Sequence, residues 1–352
     1  MTASKSRSHD DACMAGLGVT RASTASSFGG GRMREVRVAA VIAVSLGVLS
    51  ATAIAQEPAY PKRGNIELTV LFPGGTSADI TARLLAQGIA KHTGANIVVV
   101  NRPGAGGAVG YRHAAAQKPD GYSLVWNSNS ISTTYHSGQL PFDYKAFDPV
   151  ARALVESPLL VVRIEPRWKT LADFIAEAKK QPGKVTIANS GVGSHTHISS
   201  AAFARAADID VLDVPYSAAQ VITNVLGGHV DAVVTLPAAV AAHMQAGKLR
   251  AIASLTSARD PGLPDVPTAR ELGYDVSLEA WRGIAVPKGV ASAHVAVLET
   301  AIRRTVESPE FAQGTQKLYV RPAFLGAQAF GELIAREDAQ LARIMQAIGV
   351  KK

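Results

Sequence analysis

Two segments of this 352-residue chain combine glycines, hydroxyls and a helix start in a way that suits anion binding. They are Gly74-Gly75-Thr76-Ser77-Ala78-Asp79 and Asn189-Ser190-Gly191-Val192-Gly193-Ser194, and each separates a β-branched apolar run from a helical pattern. The first amides of a helix have no intrahelical acceptors, and the helix dipole adds positive potential at that end. Glycine lets a solute approach the backbone, while serine and threonine hydroxyls are further donors. Two such loops from different lobes would close on one small acid from both sides. The spacings also fit ordinary capping, since Thr76 and Ser194 stand three residues before Asp79 and His197.

Other chemistries find weaker support. Asn101-Arg-Pro-Gly-Ala-Gly-Gly-Ala-Val-Gly110 has glycines after a strand, but Val109 stands where the dinucleotide fingerprint needs its third glycine. A tight loop feeding a helix is the better reading, and no cofactor is expected. His195 and His197 lie two apart, so they do not share a helix face, and no further ligand follows at metal spacing. No G-x-S-x-G elbow occurs. Trp281 and Arg282, just before the final strand, read first as a core aromatic and a surface ion-pair partner, with a ligand-facing role as the alternative.

These residues need a scaffold, and the chain supplies an α/β one. Apolar runs at 66–72, 97–100, 123–126, 159–164, 185–188, 211–214, 232–235, 251–255 and 283–286 alternate with helical patterns, predicting largely parallel sheets. Nine strands are too many for one core, so two lobes are expected. Leu171, Phe174, Ile175 and Ala178 mark one amphipathic helix, and Phe330, Leu333, Ile334, Leu341, Ile344, Met345 and Ile348 mark a long C-terminal one.

Arg34 and Arg37 lead into the apolar stretch 38–48, followed by Ala53-Ile54-Ala55, the pattern of a secretory signal cleaved after Ala55. Met33 would begin a signal of normal proportions. Cleavage would remove the one cysteine, Cys13, excluding disulfides and thiol chemistry, and would lower the formal charge from +8 to +5. The remaining basic residues are scattered, which suits acidic solutes and argues against nucleic acid.

From about 60 to 350 the chain resembles the substrate-binding proteins of tripartite tricarboxylate transporters, the Bug-type periplasmic receptors. The resemblance is carried by the ordered set Phe72-Pro73 through Asp79, Asn101 to Gly107, Pro119-Asp-Gly-Tyr122, Ser190-Gly-Val-Gly-Ser194 with His197, Val214-Pro-Tyr216, Leu226-Gly-Gly-His-Val-Asp231, Ala246-Gly-Lys-Leu-Arg250 and Leu263-Pro-Asp-Val-Pro-Thr268. It implies a type II periplasmic-binding-protein fold, with two α/β domains joined by two crossover strands around a ligand cleft. Domain 1 is expected at 56–157 plus 281–352 and domain 2 at 158–280, behind an N-terminal extension and signal at 1–55. The implied function is capture of a small carboxylate, a di- or tricarboxylate or an aromatic acid, and its delivery, by a monomeric periplasmic receptor, to integral-membrane permease subunits.

Carried over residue by residue, the implied ligand-binding set is Gly75, Thr76, Ser77, Asp79, Ser128, Ser130, Ser190, Gly193, Ser194, His197, Tyr216 and Thr235, with Asp79 organising its loop and His195 a weaker candidate. Two departures stand out. Ser217-Ala218 replaces the usual Lys-Gly, and Thr235 lies where some members carry an aspartate for an amino group. The second departure favours a plain carboxylate or aromatic acid over an amino acid. An exported enzyme acting on a similar acid and a sensory ligand-binding module are the alternatives.

Overall fold

A computed structural model describes residues 60–350, apart from 63, 165 and 166; the expected signal peptide and cleavage site lie outside the described residues. The first sheet has the order β11-β4-β10-β3-β1-β2. Its strands are β1 (Ile66–Val70), β2 (Ile97–Asn101), β3 (Ser123–Ser128), β4 (Phe147–Glu156), β10 (Ala280–Pro287) and β11 (Arg321–Gly326). The second has the order β7-β6-β8-β5-β9, from β5 (Leu159–Arg163), β6 (Thr186–Asn189), β7 (Leu212–Pro215), β8 (Ala232–Thr235) and β9 (Leu249–Ser254).

The sheets are mixed, which corrects the largely parallel expectation. β1 runs parallel to β2 and β3, and β6 to β7 and β8. β10 is antiparallel to β3 and β4, β11 to β4, and β5 to β8 and β9. Two strands, β4 and β11, were not expected from sequence. Their apolar residues are broken by Asp148, Pro149 and Arg152 in one and Pro322 in the other, so neither forms a continuous run.

Alternation within strands builds a core on each face of each sheet. Leu160 and Val162 face one way with Phe174 and Phe203, whereas Leu159 and Val161 face the other with Val221 and Val240. In the first sheet, Ile66, Leu68 and Val70 pack with Leu85, Ile89 and Leu298. On the opposite face Leu71, Tyr111, Val125 and Phe330 form a separate cluster.

The covering helices are α1 (Ser77–Thr93), α2 (Ala108–Ala115), α3 (Ser130–His136), α4 (Leu171–Lys180), α5 (His195–Ala206), α6 (Ala218–Leu226), α7 (Pro237–Gln245), α8 (Ser292–Val306), α9 (Pro309–Gln316) and α10 (Ala327–Ala347). α4 begins with a Thr170/Asp173 capping box and buries Leu171, Phe174, Ile175 and Ala178, the face expected of it. α10 serves both sheets: Phe330 and Ile334 join the first sheet's core, while Leu341 joins the second's. Its 21 residues, about 31 Å at 1.5 Å each, give it that reach.

The chain passes between the sheets at 157–158 and again at 255–279. These crossovers run side by side, with the Leu255 amide donating to the Pro158 carbonyl at 2.8 Å. Buried Ser157 donates its hydroxyl to Asp260 Oδ2 at 2.9 Å, tying one passage to the other.

Candidate ligand-binding cleft

Each sheet contains a point where strand order reverses: β1 lies between β2 and β3, and β6 between β7 and β8. Loops leaving the carboxyl ends of such strands diverge and open a crevice. Here both crevices face one cleft. The β1 side contributes Phe72, Thr76, Ser77 and Ala78, and the β3 side Ser128, Asn129 and Ser130. Ser190, Ser194, His195 and Thr196 follow β6, Thr235 ends β8 with Leu236 just after it, and Ala280, Trp281 and Arg282 begin β10. The cavity between them has a volume of about 40 Å³, that of a small-solute site.

Both loops are helix caps, and capping is compatible with amides left over for an anion. Thr76 caps α1, its Oγ1 accepting from the Asp79 amide at 3.4 Å, and Ser194 caps α5, its Oγ accepting from the His197 amide at 3.2 Å. Capping satisfies the third amide of each helix and leaves the first two, those of Ser77 and Ala78 and of His195 and Thr196, without intrahelical acceptors. All four residues line the cleft. Two helix N-termini therefore present amides to one space from opposite sheets.

The hydroxyls divide less evenly than expected. Thr76 donates its hydrogen to the Pro73 carbonyl at 2.7 Å, and Ser77 donates to Glu156 Oε1, so both first-loop hydroxyl hydrogens are committed within the protein. In the second loop, Ser194 Oγ and Thr196 Oγ1 lie 3.1 Å apart, and Thr196 Oγ1 accepts from the Ser190 amide at 3.0 Å. One hydroxyl hydrogen bridges that pair, and the other is left for a solute.

Of the residues expected at the site, Thr76, Ser77, Ser128, Ser130, Ser190, Ser194 and Thr235 line the cleft, whereas Gly75, Asp79, Gly193, His197 and Tyr216 stand behind it. Asp79 accepts from the Gly75 amide at 3.0 Å, Arg83 Nε at 2.9 Å and Asn101 Nδ2 at 3.0 Å. Burial opposes its ionisation, but those donors prevail and hold its carboxyl below the usual range. His197 turns away, with Nδ1 accepting from the Gly193 amide at 3.3 Å and Nε2 lying 3.6 Å from Asp213. Tyr216 donates its amide to the Asn189 carbonyl at 3.1 Å. His195, the weaker candidate from sequence, takes the place on the cleft wall, because the first residue of α5 points into the cleft and the third does not.

Arg282 is the charged group of the wall. Its Nε donates to Glu156 Oε2 at 2.7 Å, with the two side chains 5% and 0% exposed, and Ser77 donates to the other carboxylate oxygen. This corrects the surface ion-pair reading, since the partner is fully buried. Beside it, the Trp281 amide donates to Asn129 Oδ1 at 2.9 Å, and both residues donate to Glu337 Oε2, at 2.5 Å from the indole and 2.7 Å from the amide. Burial pushes the Glu337 carboxyl up to about 7 despite the indole bond, and the neighbouring Glu279 charge adds to the rise. Sequence reasoning missed Glu156, Asn129 and Thr196. The available signal for Glu156 was a lone carboxylate between the apolar stretches 153–155 and 158–162.

Residues 81–350 match the model of the tripartite tricarboxylate transporter family receptor. The chain belongs to this receptor family. Over 325 residues it is 30% identical to protein BugT of Bordetella pertussis, covering 91% of this chain and 99% of that protein. The receptor superposes on the periplasmic binding protein BugD with a TM-score of 0.79 at 26% identity, over 83% of this chain and 100% of the other. It also matches MatC from Rhodopseudomonas palustris, solved with bound malate, with a TM-score of 0.74 at 26% identity, over 81% and 99% of the chains. The receptor has the two-domain, type II-like fold of periplasmic solute-binding proteins and serves a tripartite tricarboxylate transporter.

Proposed function

We propose that this receptor captures a small carboxylate without an amino group outside the cytoplasm and hands it, as a monomer, to the permease subunits of its transporter. The observation that carries this reading is the facing pair of helix N-termini, whose amides at Ser77, Ala78, His195 and Thr196 converge on one cleft. Such amides balance negative charge without a free cation. Malate bound to MatC supports the ligand class. Thr235, uncharged at the end of β8, favours an acid without an amino group. Ser128, Ser130, Ser190 and Ser194 complete the proposed contacts, and Gly75, Asp79, Gly193, His197 and Tyr216 support the loops that hold them. The proposed domains are 56–157 with 281–352, and 158–280, after export and cleavage behind Ala55.

Thermal-shift screening followed by calorimetry, across mono-, di- and tricarboxylates, aromatic acids and amino acids, tests this reading. At least one carboxylate should raise the melting temperature, by mass action on the native state. No response to any acid would reject it. An acid consumed during overnight incubation with stoichiometric protein would favour the enzyme reading instead.

A further inference from the structure

Two buried side-chain atoms on the cleft wall have no hydrogen-bond partner among the described residues: Arg282 Nη1 and His195 Nε2. Buried polar groups are seldom left unpaired, so an orphan donor and an orphan acceptor in one cavity specify a ligand's polarity. We propose that Arg282 and His195 together select a carboxylate that also carries a hydroxyl. This rests on the receptor reading above and adds the solute's second functional group.

The donor is fixed by charge and geometry. Glu156 holds the guanidinium through Nε, and its two oxygens accept from Arg282 and Ser77, which fixes it within the wall. Arg282 Nη1 is a donor without an acceptor, and an ionised carboxylate supplies one best.

The acceptor follows from hydrogen accounting around His195. Ser199 donates its one hydroxyl hydrogen to the His195 carbonyl at 2.8 Å. Its oxygen, 3.5 Å from His195 Nδ1, then faces that nitrogen with lone pairs, which favours the tautomer with the imidazole hydrogen on Nδ1 and a lone pair on Nε2. Burial, and then the Arg282 charge, push the imidazole down to about 3, so the ring is neutral at physiological pH. A lone pair in that position requires a donor from the solute. An ammonium is disfavoured beside a guanidinium of the same sign, and a carboxyl is ionised; a hydroxyl meets the requirement.

Calorimetry with acids paired by one hydroxyl provides the test: malate with succinate, lactate with propionate, and 4-hydroxybenzoate with benzoate, with aspartate as the amine counterpart of malate. In the wild type at least one hydroxy acid should bind about tenfold tighter than its partner, and malate tighter than aspartate. His195→Leu, close to histidine in volume, should bring that ratio within about twofold while leaving the hydroxyl-free acid within about threefold of its wild-type affinity. Arg282→Gln should weaken both members of a pair about tenfold or more and keep their ratio. Because it strands buried Glu156, the double variant Glu156→Gln with Arg282→Gln, checked by circular dichroism, carries that measurement if the single variant unfolds. Binding without hydroxyl preference, or a ratio unchanged in His195→Leu, would overturn the proposal and leave the receptor reading standing. Failure of every acid to bind would remove both.

Discussion

At the scale of single residues, the two capping hydroxyls invite a direct contrast. Thr76→Ala removes a cap whose hydrogen already belongs to Pro73, so it should lower stability by about 1 kcal/mol and leave carboxylate affinity within about twofold. Ser194→Ala removes a cap and a hydroxyl that shares its hydrogens with Thr196 and the cleft, so calorimetry should show weaker binding as well. Equal effects on affinity would contradict this division of donors. Glu156→Ala leaves the Arg282 guanidinium buried and unpaired, for an expected loss of about 3–5 kcal/mol in denaturant unfolding. Sequence made Thr76 and Ser194 legible because capping leaves a fixed spacing. It could not rank His195 against His197, since the choice depends on which way the first turn of α5 faces. Nor could it pair Glu156 with Arg282, whose contact crosses from β4 to β10 over 126 positions.

At the scale of elements, α10 is tied to the cleft wall by a titrating group, Glu337, next to the Asp338 that pairs with His136 of α3. Glu337 on α10 accepts from Trp281 and Asn129, with Glu279 and Arg152 as its charged neighbours. Its folded value, about 7, lies above the ordinary 4.5, so the native state binds the proton more tightly than the unfolded chain. The stability gained from this is complete below about 4.5 and is lost as pH rises through about 7. Glu337→Gln keeps an acceptor without ionising, so its melting temperature should decline less than that of the wild type between pH 5 and pH 8. Parallel pH profiles would reject the assignment. Nine of the strands were legible as apolar runs, and two of the helices, α4 and α10, as amphipathic periodicity. β4 and β11 were not, because a strand with proline or arginine among its apolar residues resembles a loop until its antiparallel partner β10 or β4 is known. Strand direction was hidden for the same reason: β10 returns to the first sheet only after the chain has built the second.

At the scale of the whole molecule, two halves meet across the cleft through few polar contacts. Gln139 Nε2 donates to the Val192 carbonyl at 2.9 Å, joining the segment after α3 to the loop before α5. Gln139→Ala should favour the open form and weaken ligand binding about fivefold, through population of the competent state rather than through any ligand contact. Small-angle scattering should show a smaller radius of gyration with a saturating carboxylate than without it, as hinge closure requires. Identical scattering curves would exclude the hinge. Gly193→Ala would force a left-handed backbone (φ 77°) on alanine and drive its methyl group into the Gln139 amide, so it should impair stability and closure together. That the chain forms two lobes was foreseeable from its surplus of strands, whereas their contact at Gln139 and Val192 was not, being a meeting of loops without periodic pattern.

The rim at Gly106 carries a kinetic consequence. A methyl group there would sit 2.9 Å from the Val192 carbonyl oxygen, so the backbones of the two halves touch with room for a hydrogen atom and no more. A solute held in the cleft is expected to leave on that side only when the two halves part. Its residence time is then governed by how often the jaws part, and acids of quite different affinity should share one upper limit on their escape rate.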